Sequence, residues 1–317
     1  MKSSVPVFFL KLSLSAALIY YALSKVDLNS AISEIMGMPV FVIIVVILLV
    51  LAAHYLGAIR LSLLLEALYK KITLGNAIKA TIIGAFFSQT MVSIGGDAMR
   101  IWHLTRLDIP FKTASHGIIL DRISGLVAMM SLIIICLPYT LNIIPTRSIQ
   151  ASLVLSITGG CIAIVGLLCI SYLPQCVRHW KLLRWATDLS HSANAVLRKS
   201  KSFLLSFSCS IAIQFINVLA FFIIAKSISS DVSYFALLAL IPPVIFLSML
   251  PISIAGWGVR ETAMVIVLGI YGMPSHQSVV ISICYGLVAL IVSIPGGIIF
   301  LLNRKRKILT SSVFKKM

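Results

Sequence analysis

The chain has 317 residues, 60% of them apolar and only 11% charged, with a mean hydropathy of +1.07 and a net charge of +17. That apolar content excludes an ordinary soluble domain, and apolar runs that are continuous rather than alternating, such as Pro39 to Ile59, exclude a membrane β-barrel. The positive charge does not point to nucleic acid, because the basic residues cluster between and after apolar runs, as the cytoplasmic loops of membrane proteins do.

In chain order, the first predicted element is an apolar helix over 5–24, flanked by Lys2 and carrying Lys11. It reads as an uncleaved first span, since no mature soluble domain follows it. Further apolar segments cover 39–59, 76–94, 116–139, 149–173, 203–226, 234–254 and 276–302. Two more, 97–111 and 257–272, are short, and the first of these is polar, with Asp97, Arg100, His103, Arg106 and Asp108. Residues 178–197 predict an interfacial helix: Leu182, Trp185, Leu189, Ala193 and Val196 recur at helical spacing with basic residues between them. Such a segment rests against anionic lipid headgroups. Pro242-Pro243, Pro251, Pro295 and Gly296-Gly297 predict helix breaks. The six cysteines show neither C-x-x-C nor Cys/His ligand spacing, and most read as small packing residues in apolar runs.

Two stretches nearly repeat each other. Val92-Ser-Ile-Gly-Gly-Asp-Ala-Met-Arg100 and Ile252-Ser-Ile-Ala-Gly-Trp-Gly-Val-Arg260 match at an offset of 160 residues. Ser115-His116 lies on Ser275-His276 at the same offset, and one inserted residue later Gly125-Leu-Val-Ala128 lies on Gly286-Leu-Val-Ala289. The repeat units are about 52–134 and 212–295 within a single transmembrane domain, 1–317.

Charge bias then sets the topology. If every long apolar run spanned, loop 174–202, with six basic residues against Asp188, would fall outside the cell. If 76–111 and 234–272 are instead re-entrant hairpins with the glycine motifs at their tips, every basic cluster falls on the cytoplasmic face, including Arg304-Lys-Arg-Lys307. The expected fold class is therefore all-α: a polytopic integral membrane protein of six spans and two inverted repeats, each with a re-entrant helical hairpin. Both termini would lie in the cytoplasm.

The motifs carry the candidate site. Gly95 and Gly96 in the first copy, and Gly256 and Gly258 in the second, are expected just before helical segments that begin near Asp97 and Trp257. Helix starts attract anions through their open N–H groups. Arg100 and Arg260 follow about one turn in and can grip phosphate with paired hydrogen bonds. The plainer reading gives the glycines to tight helix crossings and pairs the arginines with Asp97 and Glu261. The copies differ: Asp97 aligns with Trp257, Glu261 with Ile101, and Asp121-Arg122 with uncharged Ile281-Ser282. His54, His103, His116 and His276 have no metal-binding spacing. No nucleotide-binding or hydrolase motif is present, and no cofactor or metal is expected.

The paired motifs, with Asp121-Arg122-Ile-Ser-Gly125, resemble the transmembrane region of the lysylphosphatidylglycerol synthase family, also called the flippase-like family. The likeness covers about 5–302, and Gly256-Trp-Gly-Val-Arg-Glu261 is its most specific part. One departure is Met91, which stands where the second copy has Pro251. The resemblance implies a lipid translocase of a prokaryotic cytoplasmic membrane, not an enzyme. It would move a phospholipid or lipid-linked headgroup, such as an aminoacyl-phosphatidylglycerol, between leaflets. It also implies membrane lipids as partners, a separate lipid-modifying synthase as another, and a substrate path at Gly95, Gly96, Arg100, Gly256, Gly258, Arg260 and Glu261. The alternatives are a membrane-embedded lipid-linked transferase using Asp97, Asp121 or Glu261, and a non-catalytic subunit of a lipid synthase.

Overall fold

The apolar runs fold as helices because a backbone in lipid must satisfy its own hydrogen bonds. A computed structural model describes residues 28–90, 93–144, 147–170, 181–228, 232–249 and 256–314. The expected first span over 5–24, the Met91–Pro251 comparison and loop residues 171–180 lie outside them. Eleven helices are found among the described residues, and no strand. They are α1 (Leu28–Gly37), α2 (Val40–Leu68), α3 (Leu74–Thr90), α4 (Ser93–Thr105), α5 (Phe111–Ile143), α6 (Arg147–Cys169), α7 (Lys181–Arg198), α8 (Ser200–Ser227), α9 (Tyr234–Met249), α10 (Val259–Ile270) and α11 (Ser275–Phe314).

Four of these are long and apolar enough to cross a membrane: α2, α5, α8 and residues Ser275–Leu302 of α11. Within α6, Leu153–Cys169 is a shorter apolar stretch. The other helices of the two halves fall into short pairs. α3 and α4 have 17 and 13 residues, α9 and α10 have 16 and 12, and the members of each pair pack on each other. At 1.5 Å per residue these helices reach about 18–26 Å, short of an apolar core of about 30 Å.

The element order of the first half (α2, α3, α4, α5) recurs in the second (α8, α9, α10, α11). Contacts recur reciprocally. α2 packs along α8, α3 packs on α11 as α9 packs on α5, and α2 meets α11 as α8 meets α5. Reciprocal contacts of this kind are what a two-fold arrangement of a duplicated unit produces. One core cluster, with Leu61, Leu65, Leu104 and Ile118, lies in the first half; the other, around Phe221, Leu237 and Met264 of the second, also takes in Val46, Val50 and Leu132 of the first.

Two expectations are corrected. α2 continues nine residues past Ile59, which brings Arg60 inside a membrane-length helix. Three of the prolines do not end helices: α9 runs through Pro242 and Pro243, and α11 runs through Pro295, while the break expected at Pro251 lies outside the described residues. Neighbouring helices can support a backbone that has lost a hydrogen bond at each proline. The Gly296-Gly297 pair serves packing instead. A Cβ on Gly296 would run into the Ile82 carbonyl of α3, and one on Gly297 would stand 2.8 Å from the Phe86 ring. Small residues let membrane helices approach this closely. Gly296→Val should therefore push α11 off α3 and cost about 1–3 kcal/mol or more; a thermal midpoint in detergent equal to that of the wild type would refute it.

The ends of the bundle are fixed by polar ties. Lys199 at the start of α8 donates to the Ala67 carbonyl at the end of α2 (2.8 Å). Lys112 at the start of α5 pairs with Asp188 of α7 (2.7 Å). His276 at the start of α11 lies 3.2 Å from Glu34 of α1. α7 is helical as expected and buries Leu189, Ala193 and Val196 while leaving Trp185 exposed.

Candidate functional site

Arg60, Asp97, Arg100, Asp121 and Arg122 converge from α2, α4 and α5 on one cavity of about 250 Å³. Asp121 is its anchor. One carboxylate oxygen accepts from Arg60 Nε and the other from Arg100 Nη2, each at 2.7 Å. Arg122 Nε donates to Asp97, which also lies 3.8 Å from Arg100. Arg60 Nη1 donates to Ser210 of α8 (3.1 Å). His54, one turn and a half before Arg60, lines the same cavity, its Nδ1 occupied by the Val50 carbonyl (2.8 Å). Met249, at the end of α9, is the contribution of the second half.

Charge does not balance here. Three arginines face two aspartates, which leaves one positive charge on the wall. Arg100 Nε and the Thr81 hydroxyl, both on residues lining the cavity, are buried with no hydrogen-bond partner among the described residues. Unsatisfied donors in a low-dielectric interior are costly, and an anion that accepts from them would relieve that cost.

The second copy is built differently. Arg260 and Glu261 are both buried, at 7% and 2% exposure, and neither lines that cavity. Arg260 Nη2 donates to Glu261 Oε1 and Nε donates to the Ser282 hydroxyl, which in turn donates to the same Oε1, all at 2.9 Å. The other Glu261 oxygen accepts from the Gly258 N–H (2.6 Å) at the start of α10. The guanidinium lies over the Trp257 ring (5.1 Å) and near Tyr285 (5.9 Å). The result is a closed, neutral cluster.

The geometry re-registers the two copies. Ser282 holds Arg260 as Asp121 holds Arg100, so the inserted residue precedes this point and Asp121 corresponds to Ser282, not to Ile281. The second copy has moved its carboxylate from the long helix to the hairpin, as Glu261. The matched glycines also acquire a reason. A Cβ on Gly125 would stand 3.3 Å from Arg60 Nη1, and one on Gly286 would meet Arg260 Nη2.

The motif glycines divide in role. Gly95 and Gly96 lie in the first turn of α4, which starts at Ser93, earlier than the expected start near Asp97. Gly96 and Gly256 close their hairpins. A Cβ on Gly96 would meet Ser88 and the Gly84 carbonyl, and one on Gly256 would meet the Ser248 carbonyl at 2.9 Å. Gly256 and Gly258 have φ of 78° and 85°, a backbone shape that favours glycine. Arg60 was missed in sequence because it closes the apolar run 39–59 and reads as its flank. Its signal was that of any charge within a span.

An ion-paired cavity among apolar helices, four of them long enough to cross a membrane, marks a multi-pass membrane protein with a charged site. The chain belongs to the lysylphosphatidylglycerol synthase TM region family, whose profile matches residues 8–297. It is a lipid-related membrane protein. No curated protein matches the chain.

Proposed function

We propose that this chain is a translocase that carries the phosphate-bearing headgroup of a lipid between leaflets, and that the Arg60–Asp97–Arg100–Asp121–Arg122 cavity receives that headgroup. The observation that carries this reading is the excess positive charge on the cavity wall together with the unpartnered Arg100 Nε and Thr81 hydroxyl. A phosphate would supply the missing charge and accept from both donors. Phosphate is common to phosphatidylglycerol, its aminoacyl ester and a polyprenyl-phosphate-linked sugar.

Inversion of the two halves is supported by the polar ties. The end of α2 meets the start of α8, and α7 at that same end meets the start of α5. The start of α11 meets α1, which immediately precedes the start of α2. α5 and α11 thus begin at opposite ends of the bundle. Lys70, Lys112, Lys199 and the basic residues of α7 gather at one end, which we assign to the cytoplasm of a prokaryotic inner membrane. We take both termini to be cytoplasmic, the short pairs α3–α4 and α9–α10 to be re-entrant, and a separate synthase to supply modified lipid.

A transferase is the weaker reading. Both Asp121 oxygens already accept from arginine, the geometry of an anchor rather than of a base awaiting a proton.

In proteoliposomes with fluorescent phosphatidylglycerol, Arg100→Gln is expected to slow movement at least about tenfold, the loss of a charge-assisted hydrogen bond. Arg60 would still pair with Asp121, so the fold should hold. An unchanged rate from folded Arg100→Gln protein would sink the proposal.

A further inference from the structure

A second cavity, of about 180 Å³, lies on the neighbouring face of α5. Asp121, Arg122 and Gly125 face the charged cavity, while Leu120, Ser124 and Val127 face this one. Its wall is apolar except for Ser124 and Ser206. α7 roofs it through Ala193 and Val196, and Phe203 and Phe207 of α8 form a side.

The two serines are not equivalent. Ser124 shares a hydrogen bond with Ser210 (2.9 Å), which accepts from Arg60 and donates to the Ser206 carbonyl. Ser206 itself is 1% exposed, and its hydroxyl has no partner among the described residues. A buried hydroxyl without a partner is costly, and this one lies on the wall of an apolar cavity. One helical step away, Ser210 holds the arginine of the charged cavity.

We propose that this cavity is a fatty-acyl subsite for a glycerolipid, in which the Ser206 hydroxyl donates to an ester carbonyl. The inference rests on the headgroup reading of the charged cavity. A glycerolipid places phosphate, ester and hydrocarbon in that order, and the chain presents arginines, Ser206 and an apolar pocket in the same order. Ser206 and Ser210 stand one turn apart on α8, so the ester donor lies within a few ångströms of the arginine that Ser210 holds. The apolar wall alone would accept any hydrocarbon; Ser206 selects for an ester. A polyprenyl chain offers no such acceptor.

The test uses the full chain in nanodiscs and competition of a fluorescent phosphatidylglycerol by its diester and diether forms. The wild type should prefer the diester by about fivefold, the worth of one buried neutral hydrogen bond. Ser206→Ala, which removes one oxygen and adds no bulk, should bind both forms at the diether level. Val127→Phe, which fills the pocket, should weaken both about tenfold. Equal affinity of wild type for ester and ether, or a preference that survives Ser206→Ala, overturns the acyl subsite even if binding still depends on Arg100. Binding of neither form, or binding that ignores Arg100→Gln, overturns the headgroup reading as well. If Val127→Phe does not fold, the ester–ether comparison in Ser206→Ala decides alone.

Discussion

Asp121→Ala is expected to be the most damaging single change in the first half, lowering stability by about 3–5 kcal/mol, the cost of breaking a buried ion pair from one side. Its carboxylate is 3% exposed and holds two guanidinium groups that are each 12% exposed. Without it, Arg60 and Arg100 face each other across the cavity with no shared counter-ion. The free cysteines Cys136, Cys161, Cys209 and Cys284, all only partly exposed, report the loss directly. Their alkylation on heating should begin at a markedly lower temperature in Asp121→Ala than in the wild type. Arg60→Gln/Asp121→Asn removes one charge of each sign, so the cavity keeps its single excess positive charge. That double variant should be more stable than Asp121→Ala alone. If it is instead worse, pairing is not what Asp121 contributes.

The second large effect is Arg260→Ala, expected to cost a similar amount, about 3–5 kcal/mol, by leaving Glu261 charged and buried. The sequence motif alone suggests that Arg260 grips a substrate, so that its removal would stop transport and spare the fold. The structure argues otherwise, since its donors meet Ser282 and Glu261 and its face lies over Trp257. Arg260→Met/Glu261→Gln should recover most of the stability. The amide oxygen of the substituted side chain could still accept from the Gly258 N–H, and no charge would remain unpaired. Arg260→Lys should recover only part, because an ammonium cannot reach both partners while lying flat on an indole. A fully stable but inactive Arg260→Ala would return Arg260 to the substrate path.

Much of this was legible in sequence because periodicity and hydropathy report on faces and lengths. The apolar runs and the amphipathic helix ending at Arg198 follow from those signals, and the duplicated order of elements follows from the motifs matched at an offset of 160 residues. Asp97, Arg100, Asp121 and Arg122 are charged residues in apolar surroundings, and the structure does bring them together. What sequence does not encode directly is which distant groups share a space. Arg60 meets Asp121 across 61 residues of chain, and Ser210 lies 150 residues from Arg60. The equivalence of Asp121 and Ser282 was also hidden, because an inserted residue of uncertain position decides it and only the shared arginine contact locates it. Proline misleads for a related reason: its local penalty is visible, whereas the neighbouring helices that absorb it in α9 and α11 are not.

The relocated carboxylate makes the two hairpins unequal in what it costs to slide them. α10 carries Arg260 and its counter-ion Glu261 on adjacent residues, so a shift of α10 past α11 would move a dipole and break hydrogen bonds to Ser282 alone. α4 carries both Arg100 and Asp97, but the groups that hold them most closely, Asp121 and Arg122, stand on α5. Any slide of α4 along α5 would separate opposite charges at low dielectric, where Coulomb attraction is steep. An anion in the cavity could replace Asp121 as partner during such a slide. The first hairpin is thus electrostatically latched when empty and the second is not.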